Sequence, residues 1–482
     1  MHKLLLSLAC LFFTYGSSAQ KALTRTYTPA QCSTVIHKAT RLLSRYQPGV
    51  YRYHSKASFD QYADSLLGTI KTPLSELALY RKLKPLVSRI GCLHTDLTSA
   101  VHYKHSLRNS PSLIPLQLYF EGNRAFVIKN YSADKTIIPG DEITHINGQS
   151  IPALLQILLP AIPSDGYNLT MKYLALYHQF PSWYRSFVAV DTSFTLTAIR
   201  RSQSFTSKLA GVLEKDLVSD GFLRPFRYPQ QLAFQITDQT GYLTIHTFAQ
   251  SDIKKGGQDF HRFLQQAFDS LQAQNIRDLV IDLRYNTGGS DTHAAYFSRY
   301  FFTQPYRYWD RIEVTPQLAK KIKGLARIWY RSPVLQDSTW RWQKAKTVHD
   351  FDFYEWQSPA AHPYAGKVYV LINGFCMSSC ADLTAILSHH KKAVFIGEET
   401  GGGYQGNNSG IMPGENLRPS GLVLTLPLQQ YFNAVDPTIN IGRGTLPDYP
   451  APMTVAALLN GQDPAMETAR SLIQASRTKA SH

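Results

Sequence analysis

The apolar positions change period along the chain, and those changes divide it. Thr28-Pro29 and Thr72-Pro73 each place an N-cap before a proline that needs no N–H donor, so each predicts a helix start. After the second pair, Leu79, Leu83, Val87 and Ile90 share one helical face, with Pro85 as a kink and Gly91 as a C-terminal cap. Residues 20–108 therefore read as a helical domain. Two short β-type runs follow, 116–120 and 125–128, split by the hairpin signal Glu121-Gly122-Asn123. With a helix over 151–159 and a strand over 193–199, residues 109–212 read as a small α+β domain. A Tyr- and Trp-containing stretch at 173–187 reads as an insertion in it.

From 213 to 460 strands alternate with helices. Residues 242–245 form a strand, and Phe260, Phe263, Leu264, Ala267, Phe268 and Leu271 keep helical spacing. Leu279-Val280-Ile281-Asp282-Leu283 is a continuous apolar run, the mark of a strand buried on both faces, and it ends at Asn286-Thr287-Gly288-Gly289. Residues 367–372 repeat the design, ending at Asn373-Gly374 and opening a helix near Ser379. Strands that feed helices through tight loops predict a layered, parallel α/β core. Residues 303–360, rich in Tyr, Trp, Arg and Lys without period, read as an insertion or lid, and 461–482 as a C-terminal helix and tail.

Composition narrows the class. In 482 residues, 44% hydrophobic and 17% charged, there is ample apolar material for packed cores, which excludes a disordered or collagen-like chain. Fifty Lys and Arg against 34 Asp and Glu give +16, a balance that favours anionic partners and says nothing about fold. Residues 1–19 carry Lys3, an apolar run over 4–13 and small residues up to Ala19, which reads as a secretory signal peptide. That apolar run is about half the roughly 20 residues of a membrane span. A lipoprotein anchor on Cys10 is the alternative. Export to the periplasm or beyond makes nucleic acid an unexpected partner and permits disulfides among Cys32, Cys92, Cys376 and Cys380. There is no His-Glu-x-x-His, Cys-x-x-Cys or phosphate loop, so neither metal nor cofactor is expected.

Two strand-to-helix junctions carry the candidate chemistry. Gly288 and Gly289 allow close backbone approach, and Phe375-Cys376-Met377-Ser378-Ser379-Cys380 sets a hydroxyl where a helix start supplies unpaired N–H groups. Taken alone, a serine before a helix is more often an N-cap. In combination, residues 279–290 (LVIDLRYNTGGS), 368–382 (VYVLINGFCMSSCAD), 397–403 (GEETGGG) and 442–448 resemble, in order, the C-terminal processing (tail-specific) serine peptidases. The pieces at 140–148 resemble the PDZ domain that commonly precedes that core.

The resemblance implies an α+β multidomain protein: a helical N-terminal domain, a PDZ-like domain and a ClpP/crotonase-like α/β catalytic core. It implies hydrolysis of protein or peptide substrates, with Ser378 as nucleophile and the N–H groups of Gly288, Gly289 and Ser379 as oxyanion hole. The lysine many relatives use falls at Gly403, and Lys391, Lys392, His389 and His390 lie too far along the helix. The tricorn-like branch uses a histidine from a preceding domain, and Ile90-Gly91-Cys92-Leu93-His94-Thr95 resembles its segment, which makes His94 the general base. Asp436 is the candidate to orient it, with Glu398, Glu399 and Asp382 as alternatives. Cys376 and Cys380 bracket Ser378 and are a candidate disulfide, the rival being buried thiols. A non-catalytic peptide- or ligand-binding protein on the same scaffold is the alternative function. Oligomeric state is not legible.

Overall fold

The computed structural model describes residues 25–99, 107–218, 222–223, 228–322, 330–344 and 354–480. Residues 1–19, read above as a signal peptide, lie outside these residues, Cys10 among them. At the front, three helices, α1 (Pro29–Tyr46), α2 (Lys56–Gly68) and α3 (Glu76–Ser88), pack together. Thr28 caps α1 in a reciprocal capping box with Gln31, as its sequence predicts. The second start is displaced. Residues Leu74–Ser75 pair with Thr26–Tyr27, and Ser75, not Thr72, caps α3. The periodicity gave no sign of α2, which buries only Phe59 and Ala63 along its length.

The front helices do not close a core of their own. Leu79, Leu83 and Val87 share one apolar cluster with Leu417, Leu422 and Leu424, and strand Asp96–Thr98 pairs with Val423–Thr425 from late in the chain.

The next unit is an antiparallel sheet of β1 (Leu116–Glu121), β2 (Arg124–Asn130), β3 (Glu142–Ile146), β4 (Ser193–Arg200) and β5 (Gln203–Ala210), with helices α4 (Ile151–Leu158) and α5 (Thr170–Phe187). The stretch read as an insertion is α5. Its Leu176, Phe180, Tyr184 and Phe187 belong to the same apolar cluster as the sheet residues Leu118, Val127 and Phe194.

The largest unit is a six-stranded sheet in the order β6 (Leu232–Thr237), β7 (Thr240–Ile245), β8 (Asp278–Asp282), β9 (Lys367–Ile372), β10 (Val394–Gly397), β11 (Tyr449–Pro450), parallel from β7 onward. The continuous apolar run of β8 serves two faces. Leu279 and Ile281 enter the main core with helices α6 (Phe260–Ala273), α7 (Asp291–Ser298) and α8 (Ser379–His389), while Val280 meets Tyr369, Leu371 and helix α9 (Pro464–Ala480).

The stretch read as an insertion or lid carries regular structure. Within its described residues, strands Trp309–Val314, Tyr330–Gln336 and Thr339–Lys344 join Gln429–Asn433 in an antiparallel sheet. Tyr308, Trp309 and Ile312 are wholly buried in the main core. Among the described residues, no helix is long and apolar enough to cross a membrane.

Candidate active site

Strands β8 and β9 are parallel neighbours, so the loops at their carboxyl ends lie side by side. The first carries Gly288 and Gly289 and the second Ser378. Asn286, completely buried, ties the two together: its side chain donates to the Ile245 carbonyl and accepts the Gly288 N–H, and its own carbonyl accepts the Met377 N–H. A Cβ on Gly288 would come 2.7 Å from Ser378 Cβ and 2.8 Å from the Met377 carbonyl. Only glycine fits there, and its φ of +95° asks for glycine as well.

Ser378 precedes α8 with φ 53° and ψ −133°. Its side chain caps no N–H of the helix, so the N-cap reading of this serine is not how the residue is used. A non-glycine residue held in such a region costs about 1–3 kcal/mol, and such strain gathers at functional sites. Gly402 packs on the other side of the junction, where a Cβ would meet Ala381 at 2.4 Å and the Ser378 nitrogen at 3.1 Å.

The donors around Ser378 differ from the expectation in one member. The Gly288 N–H is already given to Asn286 Oδ1 at 2.9 Å, so it is not available to an oxyanion. The Phe248–Gly289 bridge uses the Gly288 carbonyl and the Ser290 N–H, which leaves the Gly289 N–H outside it. Ser379 opens α8, where first-turn N–H groups have no intrahelical acceptor. Gly288 thus supplies clearance, while the Gly289 and Ser379 N–H groups are used by none of these bonds.

His94 stands between α3 and strand Asp96–Thr98, in a segment tied to the core around Ser378. The preceding Leu93 N–H donates to Asp165 Oδ1 at 2.9 Å, and Asp165 Oδ2 accepts the Gly403 N–H at 3.1 Å, next to Gly402. Gly403, having no side chain, presents only its N–H there. Burial holds the His94 imidazole down at about 4, opposed by a hydrogen bond with the Asn408 backbone, and Nδ1 is buried without a hydrogen-bond partner. Asn408 follows Asn407, whose amide donates to Asp382 Oδ1 on the first turn of α8 at 3.1 Å. The structure thus brings the His94 segment and the Ser378 junction onto the same glycine loop.

It does not bring Asp436 there, which corrects that candidate. Asp436 accepts the Thr438 N–H and hydroxyl in a local turn, and its own N–H faces His389 at the far end of α8. At 1.5 Å per residue that end lies about 15 Å along the helix from Ser379. The alternatives are engaged elsewhere or stand apart. Glu399 pairs with Arg443 and accepts the Gly444 N–H. Asp382, pushed up to about 8 by burial and by Asp291, is held by Asn407, Asn433 and Trp309. Glu398 lies against Tyr119 and Tyr285 in a separate small cavity, and burial raises its carboxyl. None of these hydrogen bonds reaches His94.

The cysteines are also corrected. Cys376 and Cys380 are buried free thiols, as are Cys32 and Cys92, and Cys376 Sγ donates to the Leu283 carbonyl at 3.0 Å. The small thiol fits beneath the loop and satisfies a carbonyl there. Sequence reasoning missed Asp165 and Asn286. Asp165 sat in a turn signal, Ser164-Asp165-Gly166, and nothing local told its partners.

Beside the junction a cavity of about 930 Å³ opens between α5 and the core. Met171, Ala175, His178 and Trp183 line one wall, and Thr287, Phe375 and Met377 the other. Among the described residues, no group of three or more His, Cys, Asp or Glu side chains could hold a metal ion.

A strained serine at a helix start, beside amide donors on a parallel sheet's carboxyl edge, is the layout of a serine hydrolase. Residues 239–451 match the model of Peptidase family S41, and that similarity supports a serine-type peptidase. A structure of mature CPAF complexed with lactacystin shares 13% identity, covering 92% of this chain and 97% of that one with a TM-score of 0.61. A second structure of mature CPAF, also 13% identical, covers 92% and 96% with a TM-score of 0.60. The photosystem II D1 C-terminal processing protease is 14% identical over 90% of this chain and 98% of its own, with a TM-score of 0.39. No curated protein matches the chain.

Proposed function

We propose that the protein is an exported serine endopeptidase in which Ser378 is the nucleophile and His94 its general base. The observation that carries this reading is the Ser378 backbone, held at φ 53° and ψ −133° against Gly288, with its hydroxyl spent on no cap. His94, neutral above about pH 4, accepts the Ser378 proton as Oγ attacks the scissile carbonyl, then gives it to the leaving amine. Gly289 and Ser379 N–H groups receive the oxyanion of the tetrahedral adduct. Water then attacks the acyl-enzyme, with the imidazole again taking a proton. Among the described residues no carboxylate is hydrogen-bonded to the imidazole, so the imidazolium relies on the Asn408 backbone for support.

The substrate peptide lies in the cavity between α5 and the core, and the five-stranded unit that carries α5 is a PDZ-like domain forming its outer wall. The leader at 1–19 supports export.

A fluorophosphonate probe tests the assignment. Wild-type protein is expected to label, with labelling abolished in Ser378→Ala and lost at least about 100-fold in His94→Ala. Full labelling of Ser378→Ala would exclude this nucleophile.

A further inference from the structure

The turn between α4 and α5 belongs to neither the front helices nor the catalytic sheet, yet it is bonded to both. Gly166 N–H donates to the Gly91 carbonyl at 2.9 Å, and Tyr167 N–H to the Gly442 carbonyl at 2.8 Å. The buried Asn168 amide reaches the Thr400 carbonyl at 3.0 Å, and the Thr170 hydroxyl the Glu399 carbonyl at 2.9 Å. There is no slack at this crossing: a Cβ on Gly166 would meet the Gly442 carbonyl oxygen at 2.3 Å.

Within this turn Asp165 is 4% exposed, and its two oxygens accept one N–H from each side, Leu93 from the front and Gly403 from the core. Burying a carboxylate is costly unless its lone pairs are satisfied, and a surface loop needs no such group. Its two partners sit one residue from His94 and one residue from the glycine that packs on Ser378.

We propose that Asp165 is a positioning residue of the peptidase site, a carboxylate clamp that holds the His94 segment to the glycine loop and so sets the imidazole against the Ser378 hydroxyl. The proposal rests on the Ser378–His94 reading. The clamp needs both oxygens as acceptors. A protonated carboxyl keeps one good acceptor and turns the other into a donor, and an asparagine does the same. Burial raises Asp165 to about 6, opposed by the Leu93 and Gly403 N–H groups and by Arg52. The other titratable groups facing it are Tyr53, Cys92 and Asp382. The sign follows from a raised carboxyl: above about pH 6 the clamp is charged and closed, and below it one tie is lost.

The test is the pH profile of kcat/KM for wild type, Asp165→Asn and His94→Ala on fluorescein-labelled casein, with far-UV circular dichroism as the fold control. Wild type is expected to lose activity reversibly below about pH 6, in kcat with KM little changed and with the fold intact. Asp165→Asn is expected to fall about 100-fold at pH 8, since a misplacement near 1 Å costs that much, and to show no inflection near 6. A wild-type acid limb near 4, where His94 itself takes a proton, overturns the clamp even if the variant fails to fold. So does an Asp165→Asn profile that matches wild type. A fully active His94→Ala removes the Ser–His reading instead, whatever Asp165 does.

Discussion

At the scale of single residues, the site depends on groups that are small or already committed. Gly288 is the sharpest case. An added methyl meets Ser378 Cβ and the Met377 carbonyl below 3 Å, and a φ of +95° strains any other residue. Gly288→Ala is expected to cut fluorophosphonate labelling about 100-fold, the scale of losing one oxyanion donor, because Gly289 shifts with it. Melting is expected to stay cooperative, and retention of wild-type labelling would show that the two loops tolerate displacement. The importance of glycine was legible in the motif, but the division of labour was not. Which N–H is free depends on Asn286, whose side chain turns back onto Gly288 two residues on. His94 was legible as a candidate base from its neighbours in sequence. The carboxylate meant to orient it was not, because Asp436 and Glu399 were spent on local turns and ion pairs that only coordinates reveal.

At the scale of elements, period and burial made most of the parallel core readable. The run Leu279 to Leu283 has no polar face because two apolar layers need it, and the structure fills both. The aromatic, basic stretch after residue 303 had no period for a different reason. Register shifts between Trp309 and Arg311 and between Arg331 and Val334 break the two-residue alternation of its strands, so Trp309 and Ile312 lie inside, three residues apart, while Arg311 pairs with Asp310 and Glu313. Trp309→Ala is expected to cost about 3–5 kcal/mol of stability, read from the shift in denaturant midpoint. A removable lid would show almost no shift. Helix α2 escaped notice because so little of it is apolar and buried, and α5 because its aromatic residues looked foreign beside a small sheet that they in fact complete.

At the scale of the whole molecule, the cavity beside Ser378 is shared property. One wall comes from α5 and the other from the loops after β8 and β9. Its volume of about 930 Å³ and the Met171, Trp183, Phe375 and Met377 side chains in its lining leave room for a large apolar side chain, with Lys84, Asp96, Asp252 and Lys255 also on its walls. Filling it from the α5 side separates recognition from chemistry. Ala175→Phe is expected to lower kcat/KM roughly 10-fold for peptides bearing Phe or Leu relative to those bearing Ala, with probe labelling of Ser378 retained. An unchanged ratio would place the substrate elsewhere.

What the sequence determined by itself was local in cause: the capped start of α1, the buried strands, and the two glycine- and serine-bearing junctions, since each follows from period, caps and backbone freedom within a few residues. The pairing of β8 with β9, the free thiols and the meeting of Leu93 with Gly403 through Asp165 were decided only by the tertiary structure. Those contacts join positions up to several hundred residues apart. A hydrogen-bond partner at that distance leaves no mark on the residues next to it in the chain.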